Sequence, residues 1–373
     1  MRLREVVALW DWVALAAAFL LVCLGLAMML SSNYLLEPIS SLFVRQGIAL
    51  VVGLSLYLFF ARLPYHVLQR SVPVLYVLLL IVLIGVQLSG IAIRGTVSRL
   101  AFFGFQLQPS EFMKVVVVFA IAWIFARSQR LTVASFFQSL AVAALPALVV
   151  MLEPDFGMAA LMAAVWGGLI IFMGLPWRAV AALALVGGLI FAGAWHWVLL
   201  DYQKARLQTF LHPAHDPLGS GYNVHQSIVA LGSGEVIGRG LGHGPQSQLK
   251  FLPERHTDFI LASLGEELGF VGISLFFGLY AVLLWRLLST IRLTRDVFGQ
   301  VVVAGAFFLL LISFTVSAGM NMGILPVTGI PLPLLSYGGS SLISTFILLG
   351  VCQSVRVYSK WVQAPPAELS SLN

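Results

Sequence analysis

The sequence has few ionisable side chains, and several stand where apolar runs should exclude them. In QPSEFMK, Glu111 and Lys114 lie three residues apart just inside an apolar stretch that begins at Pro109. Proline suits a first helical turn, an acid there meets the positive end of the helix dipole, and a residue at i+3 shares its face. The pair is either an internal ion pair that lets a helix insert and pack, or an ammonium, oriented by its carboxylate, held toward an anionic ligand. EPDFG sets Glu153 and Asp155 either side of Pro154, as a solvated turn or as carboxylates that bind a cation or accept from sugar hydroxyls. In LPERHTDFILASLGEELG, Glu254, His256 and Asp258 precede an apolar run. Thr257 or Asp258 can cap that helix. Alternatively, Asp258 sits at the membrane surface beneath a long loop, where closure would raise its pKa toward that of a base. Glu254, His256 and Asp258 could gather a divalent cation, Mg or Mn, although their spacing matches no metal signature. Deeper in this run, Glu266 and Glu267 are buried acids with structural roles, and Gly265 and Gly269 form a small-residue face for close helix contact. NMGILPVTGIPLPLLSYGGSS, residues 321 to 341, is broken by Pro and Gly. Irregular backbone at membrane depth must be buried in protein or line a cavity, so this is a re-entrant turn or a pocket wall offering Ser336, Tyr337 and Ser340.

The elements that must position these residues follow from composition. Of 373 residues, 60% are hydrophobic and 10% charged, against about 25% charged in soluble domains. A water-facing globule is excluded. Apolar runs predict helices near 12–31, 44–61, 72–89, 109–126, 136–152, 157–174, 178–198, 259–285, 300–320 and 338–356. The reading is an all-α polytopic membrane protein with ten transmembrane helices, Pro64, Pro73, Pro109, Pro154 and Pro176 falling in or beside connections. The first run is as long as a span and lacks a cleavage site, so it stays as a helix. With the N-terminus in the cytoplasm, twelve of the 21 cations fall inside. Arg45, Arg94 and Arg99 fall in short outer loops, and positive-inside counting places both termini in the cytoplasm. The net charge of +6 is then a topology signal and needs no nucleic acid.

Residues 199–257 form one long outward loop, a lid too short for its own core, so residues 1–360 are a single domain. Residues 361–373 read as a disordered cytoplasmic tail. The glycine-rich stretch 232–244 fits no nucleotide-binding loop. Cys23 and Cys352 lie in apolar runs and read as inert thiols.

Taken in order, QPSEFMK, EPDFG, GYNVHQS with GSG, LPERHTDFI with GEELG, and PLPLLSYGGSS resemble the SEDS family (shape, elongation, division and sporulation) over residues 45–356. QSQLKFLPERHTDFI and TGIPLPLLSYGGSS are closer to its rod-shape branch, whereas Glu235 in GSGE leans toward its division branch. The resemblance implies a glycosyltransferase of the cytoplasmic (inner) membrane with an extracytoplasmic site, polymerising lipid II without a certain cofactor. It implies pairing with a class B penicillin-binding protein (transpeptidase) and other elongation-complex membrane proteins. It carries the family's essential aspartate onto Asp258, and its central outer cavity onto Arg45, Gln46, Glu111, Lys114 and the SYGGSS turn. Glu153, Asp155, Arg206, Gln226 and His256 complete the expected substrate contacts. A lipid-linked sugar diphosphate has a leaving group that is already a stable anion. The reaction therefore needs one base for the acceptor 4-hydroxyl and positive charge near the diphosphate. An α-linked donor giving a β-1,4 product implies one inversion. The rival readings are a lipid II flippase or transporter, and a noncatalytic scaffold.

Overall fold

In hydrocarbon, every backbone N–H and C=O must be satisfied within the chain, so apolar runs of this length become helices. The computed structural model describes residues 8–31, 41–89, 100–102, 105–153, 155–197, 201–211, 219–249 and 251–363. Arg2, Arg4, Arg94, Arg99, Pro154, Lys250 and the tail from 364 lie outside the described residues. In chain order the helices are α1 (Trp12–Ser31), α2 (Ser41–Arg62), α3 (Tyr65–Ser89), α4 (Pro109–Ser128), α5 (Val133–Leu152), α6 (Phe156–Phe172) and α7 (Trp177–Trp197). The long loop carries α8 (Asp201–Leu211), α9 (Ser220–Ser233) and α10 (Pro245–Gln248), and α11 (Ile260–Leu293), α12 (Val297–Asn321) and α13 (Gly339–Gln363) follow. Eight of these are long and apolar enough to span a membrane, with α6 and the first part of α7 as shorter apolar helices. Together they match the ten expected runs one for one, in a multi-pass all-helical membrane body.

Three helix boundaries differ most from the sequence reading, the first being the end of α11, which runs on to Leu293 rather than stopping near 285. Helix α3 starts at Tyr65, so Pro73 lies inside it. Helix α13 continues to Gln363, past the expected start of the tail. Before α4, Leu100–Phe102 (β1) pairs antiparallel with Phe105–Leu107 (β2), a hairpin too short to leave a periodic signal.

Helices α4, α12 and α13 form the centre, most of their side chains being buried. Helix α13 packs along α2, α12 lies against α4 and α6, and α11 lies against α1 and α12. Pro109 occupies the first turn of α4, where its missing N–H costs nothing. The beginnings of α2, α4, α6, α11 and α13 and the ends of α5 and α12 therefore share one end of the bundle.

Helix α11 is broken at Gly269 (φ 63, ψ −160), a conformation accessible only to glycine. The loop after α9 supplies what the break removes. Arg239 N donates to Glu266 O (3.0 Å) and Gly240 N to Glu267 O (2.9 Å), while Phe270 N and Val271 N donate to Glu235 O and Val236 O, both at 3.0 Å. Gly269 is thus a break stitched to a loop, which corrects its expected place on a helix-contact face; Gly265 does meet Leu231 of α9 closely. The Glu266 carboxylate accepts from Gln246 N (2.7 Å) and from Ser247 N and Oγ (2.9 and 2.5 Å), and Glu267 accepts from Ser31 Oγ. Both acids therefore clamp the loop and the end of α1, as structural groups. A methyl at Gly269 would come within 2.6 Å of the Val236 carbonyl oxygen, on top of about 1–3 kcal/mol of backbone strain. Gly269→Ala should lower the melting temperature in detergent by many degrees, whereas Gly278→Ala, with open space around it, should leave it within a degree or two.

Candidate active site

Asp258 lies in the turn leading into α11, partly exposed, and its position is set through its backbone. Three consecutive carbonyls are held from outside the turn. His256 O accepts from Tyr337 N (2.8 Å), Thr257 O from Ser336 Oγ (2.6 Å) and Asp258 O from Asn321 Nδ2 (2.8 Å). Asn321, fully buried at the end of α12, also accepts from Ala262 N through Oδ1 (3.0 Å), and its carbonyl accepts from Ser227 Oγ (2.7 Å). Asp258 N donates to Glu254 O (3.1 Å), closing the turn. Gly329, at φ +74, runs beside the carboxylate, and a methyl group there would lie 3.9 Å from Asp258 Oδ2.

From this turn a chain of hydrogen bonds crosses the same end of the bundle. Gln46 of α2, buried, donates through Nε2 to Ser336 O (3.3 Å) and accepts from Gly338 N through Oε1 (3.2 Å). Ser340 Oγ accepts from Gln108 N (3.0 Å) and donates to Gln106 O (3.3 Å). Gln108 Nε2 reaches Asp155 Oδ2 (3.4 Å), and Asp155 Oδ1 caps α6 by accepting from Met158 N (3.0 Å). Beside Asp155, Gly157 lies so close to the Thr328 carbonyl that a side chain there would collide with it, which seats α6 against the segment after α12. Glu111 and Lys114, on the first turns of α4 just below Gln108, form an ion pair with both side chains only 4% exposed.

The electrostatics divide the candidates. Burial, with the Arg255 charge adding to it, lowers His256 to about 4, and Arg255 Nε donates to its Nε2 (3.4 Å). His256 is therefore neutral at pH 7 and supplies no cation. Burial, reinforced by Asp155, raises Glu153 to about 8, and neither of its carboxylate oxygens has a hydrogen-bond partner among the described residues. A carboxyl raised on folding contributes its full stability below 4.5 and loses it as pH rises toward 8. Glu153→Gln should therefore match the parent's melting temperature near pH 4.5 and exceed it increasingly up to pH 8. The ceiling is about 5 kcal/mol at roughly 1.36 kcal/mol per unit. Equal melting curves at pH 8 would show that Glu153 is ionised in the folded protein.

The chain matches the family model described as "Cell cycle protein", FtsW/RodA/SpoVE, over residues 8–361. It belongs to the SEDS family. It is 35% identical over 357 residues to peptidoglycan glycosyltransferase MrdB of Escherichia coli strain K12, covering 94% of this chain and 96% of that one. It is 32% identical to the stage V sporulation protein E of Bacillus subtilis strain 168, over 94% of this chain and 98% of that one. Among solved structures, a chain described under structural coordination of polymerization and crosslinking by a peptidoglycan synthase complex superposes with a TM-score of 0.80 at 29% identity. That likeness covers 94% of this chain and 98% of the other. The rod shape determining protein RodA of Thermus thermophilus gives 0.69 at 27% identity, over 93% and 96%.

In this SEDS protein the fold brings Gln46, Asp155, His256, Asp258, Ser336, Tyr337 and Ser340 onto one bonded rim. Arg45 is exposed beside Gln46 on α2. The side chain of Arg206, on α8, lies outside the described residues. Gln226 is half-buried on α9, and it is its neighbour Ser227 that bonds into the site frame. The grouping of Glu254, His256 and Asp258 around a metal is not formed. Glu254 is exposed and accepts from Thr257 Oγ1 (2.9 Å), and among the described residues no three His, Cys, Asp or Glu side chains converge as ligands. Asn321, Gln108 and Ser227 escaped the sequence reading because a lone amide or hydroxyl at a helix end looks like any other interfacial residue. The only available signal for Asn321 was its place as the last residue of an apolar run, just before the Pro/Gly segment.

Proposed function

We propose that this chain, by family a peptidoglycan glycosyltransferase, polymerises lipid II at the end of the bundle that carries Asp258, with Asp258 as the general base. The observation that carries this reading is the triple anchoring of carbonyls 256 to 258. It fixes the residue through its main chain, and the side chain remains partly exposed. A base needs a set position and access to the proton it takes. Asp258 removes the proton from the acceptor 4-hydroxyl, whose oxygen forms a bond to the donor's anomeric carbon as the bond to the diphosphate breaks. Undecaprenyl diphosphate departs as an anion, and one displacement inverts the anomeric centre. Lys114, oriented by Glu111, and Arg45 supply positive charge as the diphosphate leaves. Gln46, Asp155, Ser336, Tyr337 and Ser340 shape the rim for sugar hydroxyls.

Cation placement supports a cytoplasmic-membrane orientation with both termini inside and this rim outside. The similarity to a chain of a synthase complex that couples polymerization to crosslinking supports a class B penicillin-binding protein as partner. The test is purified full-length protein, with and without such a transpeptidase, incubated with labelled lipid II and resolved for glycan chains. Polymer from the pair supports the reading. Lipid II that crosses vesicle membranes without forming polymer overturns it in favour of transport.

A further inference from the structure

At the opposite end of the bundle from Asp258, α1, α2, α11 and α13 line a narrow, half-open cleft whose cavity is only about 20 Å³, the rest of its space being open mouth. Its polar wall is a cluster used by no part of the mechanism above. Asp11, just before α1 and 3% exposed, is contacted by two guanidiniums. Arg286 Nε lies 2.9 Å from both its oxygens, and Arg356 Nε lies 3.2 Å from Oδ2. Asp11 Oδ1 also accepts from Ala14 N (3.1 Å), so the only acid lining the cleft among the described residues is fully engaged. Arg356 Nη1 is held by Ser289 and Thr290 hydroxyls at 3.0 and 2.9 Å. One carboxylate facing two guanidiniums leaves a net charge of +1. Gln353, lining the same cleft and only 4% exposed, has its Nε2 buried without a hydrogen-bond partner among the described residues. A buried amide donor left without an acceptor is unfavourable, so the cleft is short of an acceptor.

The level of this cleft in the membrane is marked by tryptophans. Trp12, Trp285 and Trp361, at the same end, are exposed at 52, 61 and 39%, the pattern of an aromatic belt at headgroup depth. The other walls are apolar, with Leu15 and Ala18 from α1, Leu283 from α11 and Leu349 from α13. A basic pocket between transmembrane helices at headgroup level, with apolar walls below it, has the chemistry that holds an anionic phospholipid.

We propose that this cleft binds the headgroup phosphate of an anionic phospholipid in the leaflet opposite the Asp258 rim, with Arg286 and Gln353 as the donors. Arg286 is the mobile member, 27% exposed on its side chain and tied to Asp11 through Nε alone, which leaves its outer nitrogens to grip phosphate. The inference asks nothing of the outer rim and stands apart from the glycosyltransferase reading.

The test is native mass spectrometry of the full-length protein released from detergent doped with dioleoylphosphatidylglycerol or dioleoylphosphatidylcholine, beside thermal melts in inorganic phosphate. The parent should retain one phosphatidylglycerol in preference to phosphatidylcholine. Gln353→Leu, which breaks no described hydrogen bond, should lower that retention about tenfold, as expected for one hydrogen bond to a charged group. Gln353→Glu should remove it. Equal phosphatidylglycerol retention by the parent and both variants overturns the site, leaving a structural ion cluster. Stabilisation by inorganic phosphate that Gln353→Glu abolishes, without phosphatidylglycerol retention, overturns the lipid source in favour of a free anion.

Discussion

Asp258→Asn is expected to lower glycan polymerisation by about 10²- to 10⁴-fold while the protein folds and melts as the parent does. The amide is nearly isosteric with the carboxylate. The turn is held through main-chain carbonyls 256 to 258, none of which depends on the substituted group. What changes is the capacity to take up a proton from an incoming hydroxyl. The measurement is chain formation from labelled lipid II by the protein with its transpeptidase, beside a melting curve of the same preparation. Asp258→Glu serves as the companion, since it keeps the acid but moves it, and it should retain part of the activity. Polymer at parental rate from Asp258→Asn would remove this residue from the chemistry and leave it as a turn residue only.

The second large effect concerns the pair on α4. Lys114→Met strands Glu111, a carboxylate 3% exposed, without its partner, and breaking a buried pair typically costs about 3–5 kcal/mol. Both stability and polymerisation should fall. The double variant Glu111→Leu with Lys114→Met replaces the whole pair by apolar side chains of similar volume, which is often neutral or even stabilising. It should regain the parental melting temperature and remain inactive. A double variant that polymerises at the parental rate would assign the pair to helix insertion alone, and the positive charge for the departing diphosphate would have to come from elsewhere on the rim.

Much of this architecture was legible in the residues because the bilayer imposes strict length and polarity on each run. Ten apolar stretches became ten helices, and Pro109 marked the start of α4 to the residue. The motif residues at the Asp258 end were legible for the same reason, since polar groups next to hydrocarbon stand out. Long-range pairing was not legible. Nothing local says that Gln46 reaches Ser336 or that Asn321 carries the Asp258 carbonyl, because those bonds join residues up to 290 positions apart. The break in α11 was hidden too: GEELGF reads as continuous helix until the loop from Glu235 to Gly240 is placed against it. The offset between Gln226 and Ser227 reflects a helix whose facing depends on α11, which its own sequence does not specify.

The interruption at Gly269 divides α11 into two rods of different allegiance. The first leads back directly into the Asp258 turn and the second runs past Arg286, beside Asp11 and Arg356, while the long loop is bonded to both, at the Glu266 and Glu267 carbonyls on one and the Phe270 and Val271 amides on the other. Cleaving the chain between Glu235 and Gly240 would therefore unfasten the amides of Phe270 and Val271 within α11, although no transmembrane peptide bond had been cut.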